Sequence, residues 1–190
     1  MRTQLRIVAG SLRGRKLTYT VAQDLRPTPE MVREALFSIL GNAVPGRPFL
    51  DLFAGTGAIG LEALSRGSAA VEFVERDARV AGEIVRHLQA FGVAGRGRVQ
   101  RADVYRWVER WRPPSEPVTI FLGPPFPDLE HRPEALLQAL AQLQQKAAPG
   151  SVLVLQSEKT FDIQQLPDPE KWDQRRYGRN QLSIWVKESA

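Results

Sequence analysis

The feature that most constrains the fold of this chain is residues 48–66, PFLDLFAGTGAIGLEALSR. The segment begins as a short apolar run, continues with Gly55, Gly57 and Gly60 spaced G-x-G-x-x-G, and ends with apolar residues at helical spacing. This pattern predicts a strand, a tight turn and a helix. Such a turn brings backbone N–H groups and the positive end of a helix to the carboxyl end of a strand, where a negative group can bind. We therefore predict a nucleotide-type cofactor site.

An acidic residue inside the predicted strand helps to select the cofactor. Asp51 lies four residues before the first glycine. A carboxylate there would repel the pyrophosphate of NAD, which disfavours an NAD-linked oxidoreductase. The methionine end of S-adenosylmethionine offers an ammonium to Asp51 and a carboxylate to the helix N-terminus. Charge matching therefore favours S-adenosylmethionine, and we assign Phe53, Ala54, Gly55 and Gly57 to the same cofactor site.

Two further strands are predicted to end in acidic side chains that lie at this site. The strand AAVEFVE ends at Glu75, where a carboxylate can accept hydrogen bonds from the ribose hydroxyls, with Arg76 beside it. The strand RVQRAD ends at Asp103. That side chain can accept the adenine amine while the Val104 N–H serves a ring nitrogen, or it can cap the next helix. Both interpretations stay open.

Composition narrows the class of protein. A chain of 190 residues, 43% of them hydrophobic, is the size of one compact fold. It holds no cysteine and two histidines, so we expect neither a disulfide framework nor a metal site. No apolar run reaches the roughly 20 residues of a membrane span, and we expect a cytoplasmic protein without membrane contact.

Positive charge is concentrated near the N-terminus. The net charge is +5, and residues 1–26 hold six basic side chains against one acid. Residues 6–20 read as a basic β-hairpin with its turn at Gly10 and Gly14, followed by a helix. A basic arm on a neutral body is typical of a nucleic-acid-binding surface, although a solvated tail would look the same. The candidate phosphate contacts are Arg6, Arg13, Arg15, Lys16, Arg26 and Arg33.

The remaining chain predicts the rest of an α/β fold. The apolar strand VTIFL leads into the stiff segment Gly123, Pro124, Pro125 and Phe126, a helix and a fifth strand follow, and residues 170–187 read as a β-hairpin. Five α/β units followed by a terminal hairpin resemble class I methyltransferases, and this resemblance implies a Rossmann-like fold with helices flanking a seven-stranded mixed sheet of order 3-2-1-4-5-7-6. The N-terminal basic hairpin and helix would form an extension, residues 1–42, to a methyltransferase domain, residues 43–190.

Three motifs resemble one known family. RIVAGSLRGRKL, LRPTPEMVREALFSIL and LDLFAGTGAIGLEALSR resemble the successive signatures of RsmD-type bacterial methyltransferases. The resemblance implies S-adenosylmethionine as cofactor and methylation of the N2 amine of a guanine in 16S ribosomal RNA. The substrate would lie within a small-subunit assembly particle, and we expect a monomer.

The chain departs from that family at one position. The family carries Asp or Asn before the two prolines, where this chain has Gly123. By the resemblance, that side chain and a proline-loop carbonyl accept the two N–H bonds of the target amine, while the aromatic residue, here Phe126, stacks on the flipped base. We therefore leave open a slower enzyme, an enzyme with another acceptor such as Asp128, and an RNA-binding assembly protein that has lost catalysis. A DNA adenine-N6 methyltransferase is a further alternative, since a proline loop serves any exocyclic amine.

Overall fold

A computed structural model describes residues 2–20 and 27–188 of the chain. The strands are β1 (Arg2–Arg6), β2 (Lys16–Thr20), β3 (Pro48–Leu52), β4 (Ala70–Glu75), β5 (Gly97–Arg101), β6 (Thr119–Leu122), β7 (Val152–Glu158), β8 (Asp173–Tyr177) and β9 (Asn180–Val186). The helices are α1 (Glu30–Leu40), α2 (Ala58–Ser65), α3 (Ala78–Ala90), α4 (Val104–Arg110), α5 (Phe126–His131) and α6 (Pro133–Lys146).

Seven of these strands form one mixed sheet. Its order is β5-β4-β3-β6-β7-β9-β8, with β3 to β7 parallel and the β8–β9 hairpin antiparallel at one edge. Numbered from β3, this is the predicted order 3-2-1-4-5-7-6, and the prediction is confirmed. The connections reverse direction between β3 and β6, and open α/β sheets bind ligands outside the carboxyl ends of the strands at such a point.

Two glycines of this segment are needed for its conformation and packing. Gly57 has φ 74° and stands directly before α2, in the left-handed region that glycine tolerates best. A Cβ on Gly60 would lie 2.2 Å from Cε1 of Phe73 on β4. The third glycine therefore allows α2 to lie close against the sheet.

The sheet has a hydrophobic core on each face. One core joins the sheet to α1, α2 and α3 through side chains such as Leu36, Leu61 and Ile84, all fully buried. The other joins the sheet to α4 and α6 through Val108 and Leu140. Among the described residues, no helix has the length and apolar character needed to span a bilayer.

The N-terminal hairpin is confirmed, but its first strand lies earlier than predicted. β1 ends at Arg6, and residues 7–15 form the connection that the sequence assigned partly to a strand. Val8 and Ala9 donate their N–H groups to the Glu62 carboxylate at 2.9 and 3.0 Å, which removes them from strand pairing. Because Leu17 belongs to the same core as α1 and α2, the hairpin packs into the body of the molecule.

Candidate functional site

A cleft of about 740 Å³ opens at the carboxyl ends of the parallel strands, within the range of roughly 300–1,000 Å³ of small-ligand sites. It brings together most of the residues predicted for the cofactor and the target base. The predicted residues that line it are Asp51, Phe53, Ala54, Gly55, Glu75, Arg76, Asp103, Val104, Gly123, Pro124, Pro125 and Phe126. Gly57 lies between Thr56 and Ala58, which also line the cleft.

The turn between β3 and α2 is narrow and partly strained. Gly55 and Gly57 have φ 52° and 74°. A Cβ on Gly57 would lie 3.0 Å from Cγ1 of Ile84, so this position fits glycine best. Phe53 also has a positive φ, 62°, which is costly for an L-residue and which the sequence alone did not indicate. Its ring meets that of Tyr105 edge-on, with centroids 5.4 Å apart.

Asp51 lies beneath this turn with 1% of its surface exposed. Its Oδ2 accepts a hydrogen bond of 2.8 Å from the Gly60 N–H. Burial, reinforced by the charge of Glu75, raises the pKa of Asp51 to about 8. The carboxyl group therefore holds its proton at neutral pH until a cation beside it stabilises the ionised form.

Glu75 connects the end of β4 to the glycine turn. Its Oε2 accepts from the Gly55 N–H at 2.9 Å, and its Oε1 accepts from the Asp77 N–H at 2.8 Å. A carboxylate offers about four lone pairs, so two remain available for hydroxyl groups. The arrangement holds Glu75 in the cleft in a fixed orientation.

Asp103 caps α4, which confirms the capping interpretation. Its Oδ1 accepts from the Arg106 N–H at 3.2 Å, and its Oδ2 lies 3.3 Å from Nη1 of Arg132. Val104 is the first residue of α4, so its N–H has no partner within the helix and is available to a ligand. The role of Asp103 and Val104 in holding adenine stays a prediction.

The proline segment starts from the end of β6. The Gly123 N–H donates to the Leu52 carbonyl at 3.1 Å, which continues the pairing with β3 for one residue beyond the strand. Pro125 precedes α5, and Phe126 is its first residue. A Cβ on Gly123 would lie 3.0 Å from Cε1 of Phe121, so a side chain here requires the buried Phe121 ring to move by a few tenths of an ångström.

Asp128, considered above as a substitute acceptor, already has a partner. Its side chain is buried, and its Oδ2 accepts a 2.9 Å hydrogen bond from the Tyr105 hydroxyl. Burial and this contact raise the pKa of Tyr105. The guanidinium of Arg132 lies 4.3 Å from the Tyr105 ring centroid. These contacts tie α5 to α4, on the face of the sheet that packs against α6.

The far end of the cleft holds a polar chain that the sequence reasoning missed. The Thr28 hydroxyl donates to Oε1 of Gln156 at 2.7 Å, and Nε2 of Gln156 donates to Oδ1 of Asn180 at 3.0 Å. All three residues line the cleft, and Gln156 is 7% exposed. The available signal was a glutamine closing the otherwise apolar run VLVL.

The predicted phosphate contacts divide into three groups. Four are exposed on the N-terminal hairpin and its connection, namely Arg6, Arg13, Arg15 and Lys16. Arg26 lies outside the described residues. Arg33 is only 2% exposed and donates to the carbonyls of Thr28 and Arg6, both at 2.8 Å.

That burial lowers the pKa of Arg33. Its guanidinium is occupied inside the protein, so the prediction of a phosphate contact for Arg33 is wrong. The sequence placed it on the helix correctly but could not tell which face of the helix the hairpin would cover. Among the described residues, no group of three or more His, Cys, Asp or Glu side chains could hold a metal ion.

Comparisons with known proteins give the family. The family model described as "Conserved hypothetical protein 95" matches residues 5–186. The chain is 38% identical over 123 residues to Ribosomal RNA small subunit methyltransferase D of Escherichia coli K12, an alignment covering 65% of this chain and 61% of that protein. The aligned region thus spans less than two thirds of that relative.

Solved structures agree with the fold. "Putative methyltransferase yhhF" from Escherichia coli superposes with a TM-score of 0.79 at 29% identity, covering 99% of this chain and all of that one. The 16S rRNA N2 G1207 methyltransferase (RsmC) of Thermus thermophilus, solved with AdoMet and guanosine, has a TM-score of 0.75. It is 21% identical and covers 99% of this chain and 50% of that one, so it supports the fold alone. The chain therefore belongs to the family described as "Conserved hypothetical protein 95", the RsmD-type methyltransferase family that its motifs resemble.

Proposed function

We propose that this protein transfers a methyl group from S-adenosylmethionine to the exocyclic N2 amine of a guanine in small-subunit ribosomal RNA. The observation that carries the proposal is the two-ended cleft. One end has the glycine turn, Asp51 and Glu75, and the other has the proline segment with Phe126. S-adenosylmethionine fits the chemistry of the first end, and two proteins that share this fold were solved with S-adenosyl-L-homocysteine or with AdoMet.

The cofactor end offers each part of S-adenosylmethionine a matched group. The methionine carboxylate would meet the N–H groups at the start of α2, and its ammonium would approach Asp51. Glu75 has lone pairs left for the ribose hydroxyls. Asp103 and the Val104 N–H would serve the adenine edge, with Arg76 at the rim. Contact with the ammonium would convert Asp51 from its protonated to its ionised form.

The chemistry at the other end is mainly positioning. A guanine amine is a poor nucleophile because its lone pair is delocalised into the ring. Stacking the flipped base on Phe126 and accepting its N–H bonds would direct that lone pair at the sulfonium methyl for in-line transfer. Pro124 and Pro125 stiffen the segment that holds the base, and Gly123 can contribute its backbone carbonyl.

The exposed cations of the N-terminal hairpin are suited to RNA phosphates. Arg6, Arg13, Arg15 and Lys16 are exposed, and among the described residues none of them forms an ion pair. We propose that a monomer uses them to bind 16S RNA within a small-subunit assembly particle. Because released counterions drive such contacts, affinity should fall steeply with salt.

Methyl transfer to undermethylated small-subunit particles tests the proposal. Purified protein and methyl-labelled S-adenosylmethionine should yield N2-methylguanosine in the digested RNA. Phe126→Ala should lower the rate about 5- to 150-fold, because stacking on a base is worth about 1–3 kcal/mol. Phe161→Ala, at a partly exposed aromatic residue outside the cleft, should leave the rate near that of the wild type. Label on an adenine, or in DNA, would contradict the proposal.

A second candidate is an RNA-binding assembly protein that keeps the cofactor site without catalysis. The close approach of the Phe121 ring to Gly123 favours it, because the ring takes up space that a side chain at position 123 would need. Binding of S-adenosylmethionine and RNA with no methyl transfer would support this candidate. For the same reason, Gly123→Asp is informative only beside the double variant with Phe121→Leu, which makes room for the new side chain.

A further inference from the structure

Strand register gives Gly123 a polar neighbour. In the parallel pair of β6 and β7, Leu122 lies opposite Leu155. The next residue on each strand is Gly123 and Gln156, so these two are adjacent across a strand spacing of about 4.8 Å. Gln156 thus lies beside the position at which this chain has no side chain.

Both residues face the same side of the sheet. Residues two apart on a strand share a face, so Gly123 goes with Phe121 and Gln156 goes with Val154. Phe121 and Val154 belong to one core cluster, on the α1 side of the sheet. Tyr105, the partner of Asp128, belongs to the core on the opposite face. Gln156 is therefore better placed than Asp128 to supply a polar group beside Gly123.

The surrounding hydrogen bonds fix the orientation of the Gln156 amide. Oε1 accepts one hydrogen bond from the Thr28 hydroxyl, and one of its two lone pairs remains. Nε2 is held by Oδ1 of Asn180. Thr28 is itself held in place, because the buried Arg33 donates to its carbonyl at 2.8 Å. The chain of contacts presents a preoriented amide oxygen at the wall of the cleft.

We infer that Gln156 is the acceptor for the target amine in place of a side chain at position 123, an inference that rests on the proposed function. Oε1 accepts one N–H of the amine and a carbonyl of the proline segment accepts the other. The N–C bond then forms as the C–S bond breaks, with its electron pair left on sulfur as S-adenosylhomocysteine. The methylated nitrogen releases one proton to water, and Gln156 itself takes up no proton.

Substitutions along the polar chain separate this role from a structural one. Gln156→Met keeps the volume and removes the acceptor, so kcat for methyl transfer should fall about 100- to 1,000-fold, as when one preorganised polar contact is removed. Gln156→Glu keeps an acceptor and should retain activity within about fivefold of the wild type. Asn180→Ala removes only the remote partner and should cost a few-fold at most.

The matched control is Gln100→Met on β5, where the amide donates to Glu72 at 3.0 Å outside the cleft. It should leave kcat unchanged, and every variant should bind S-adenosylmethionine as the wild type does. If Gln156→Met and Asn180→Ala lose activity equally, through a raised KM or through reduced stability of the fold, Gln156 has only a structural role and the inference is overturned. Wild-type activity in Gln156→Met would overturn it while leaving the proposed function intact. A wild-type protein that methylates no guanine would overturn both.

Discussion

Replacing Asp51 by asparagine should make the protein more stable and a weaker binder of its cofactor. The amide oxygen can still accept from the Gly60 N–H, as the carboxyl does at 2.8 Å. What the substitution removes is the cost of keeping a carboxyl group protonated inside the fold. That cost follows from a pKa raised from 3.8 to about 8 by burial.

The sign and size of the effect follow from proton linkage. Between those pKa values the folded protein holds a proton that the unfolded chain releases, so the stability of the wild type falls as pH rises. The slope is at most about 1.4 kcal/mol per pH unit and ends near pH 8, which gives a ceiling of about 4 kcal/mol at pH 7. The amide hydrogens that Asp51→Asn introduces add an offset that does not vary with pH, so the slope is the diagnostic quantity.

Urea denaturation at pH 5, 6, 7 and 8 measures this slope. The free energy of unfolding of Asp51→Asn minus that of the wild type should increase steadily across the series. Glu116→Gln, at an exposed carboxylate, should show a flat difference. A flat difference for Asp51→Asn as well would refute the reasoning, since it would mean that Asp51 ionises normally in the fold.

The same variant tests the cofactor contact. Loss of the charged partner for the ammonium should weaken S-adenosylmethionine binding about 10- to 100-fold, corresponding to about 1.5–3 kcal/mol for a hydrogen bond to a charged group. Isothermal titration calorimetry of wild type, Asp51→Asn and Glu116→Gln gives the comparison. Unchanged affinity in Asp51→Asn would mean that the ammonium binds elsewhere.

Three further changes test other parts of the account. Gly60→Ala should destabilise the protein by about 1–3 kcal/mol in urea titrations, because its Cβ would overlap the Phe73 ring; wild-type stability would contradict that packing. His87, whose pKa burial lowers, accepts from the Thr18 N–H, so stability should fall as pH drops below about 6.5, and His87→Gln should reduce this loss. In filter-binding titrations, Arg13→Ala should reduce the slope of log K for RNA binding against log salt concentration by about one. An unchanged slope would mean that Arg13 does not contact the RNA.

The sequence predicts the strands and the tight turn because their signals are local, whereas the order of the sheet follows from the class I methyltransferase fold that the chain resembles. Apolar runs mark the strands, the glycines mark the tight turn, and acids at strand ends reach the same edge by the geometry of parallel strands. The cleft residues Asp51, Glu75 and Asp103 could be predicted in this way.

Contacts between segments that are far apart in the sequence could not be predicted from local patterns. The burial of Arg33 depends on how the N-terminal hairpin covers α1, and the first strand of that hairpin was displaced by the backbone contacts to Glu62. Gln156 gained its importance only from its register beside Gly123 and from a partner 128 positions away in the chain. A helical or strand period reports which residues can share a face, but it does not report what packs on that face.

Mass spectrometry of the nucleosides of small-subunit ribosomal RNA, from cells with and without this gene, measures whether this protein methylates a guanine in the cell. N2-methylguanosine should decrease by one residue per small subunit in the deletion strain and return when the wild-type gene is restored. An unchanged nucleoside profile, or loss of a different methylated nucleoside, would contradict the proposed function.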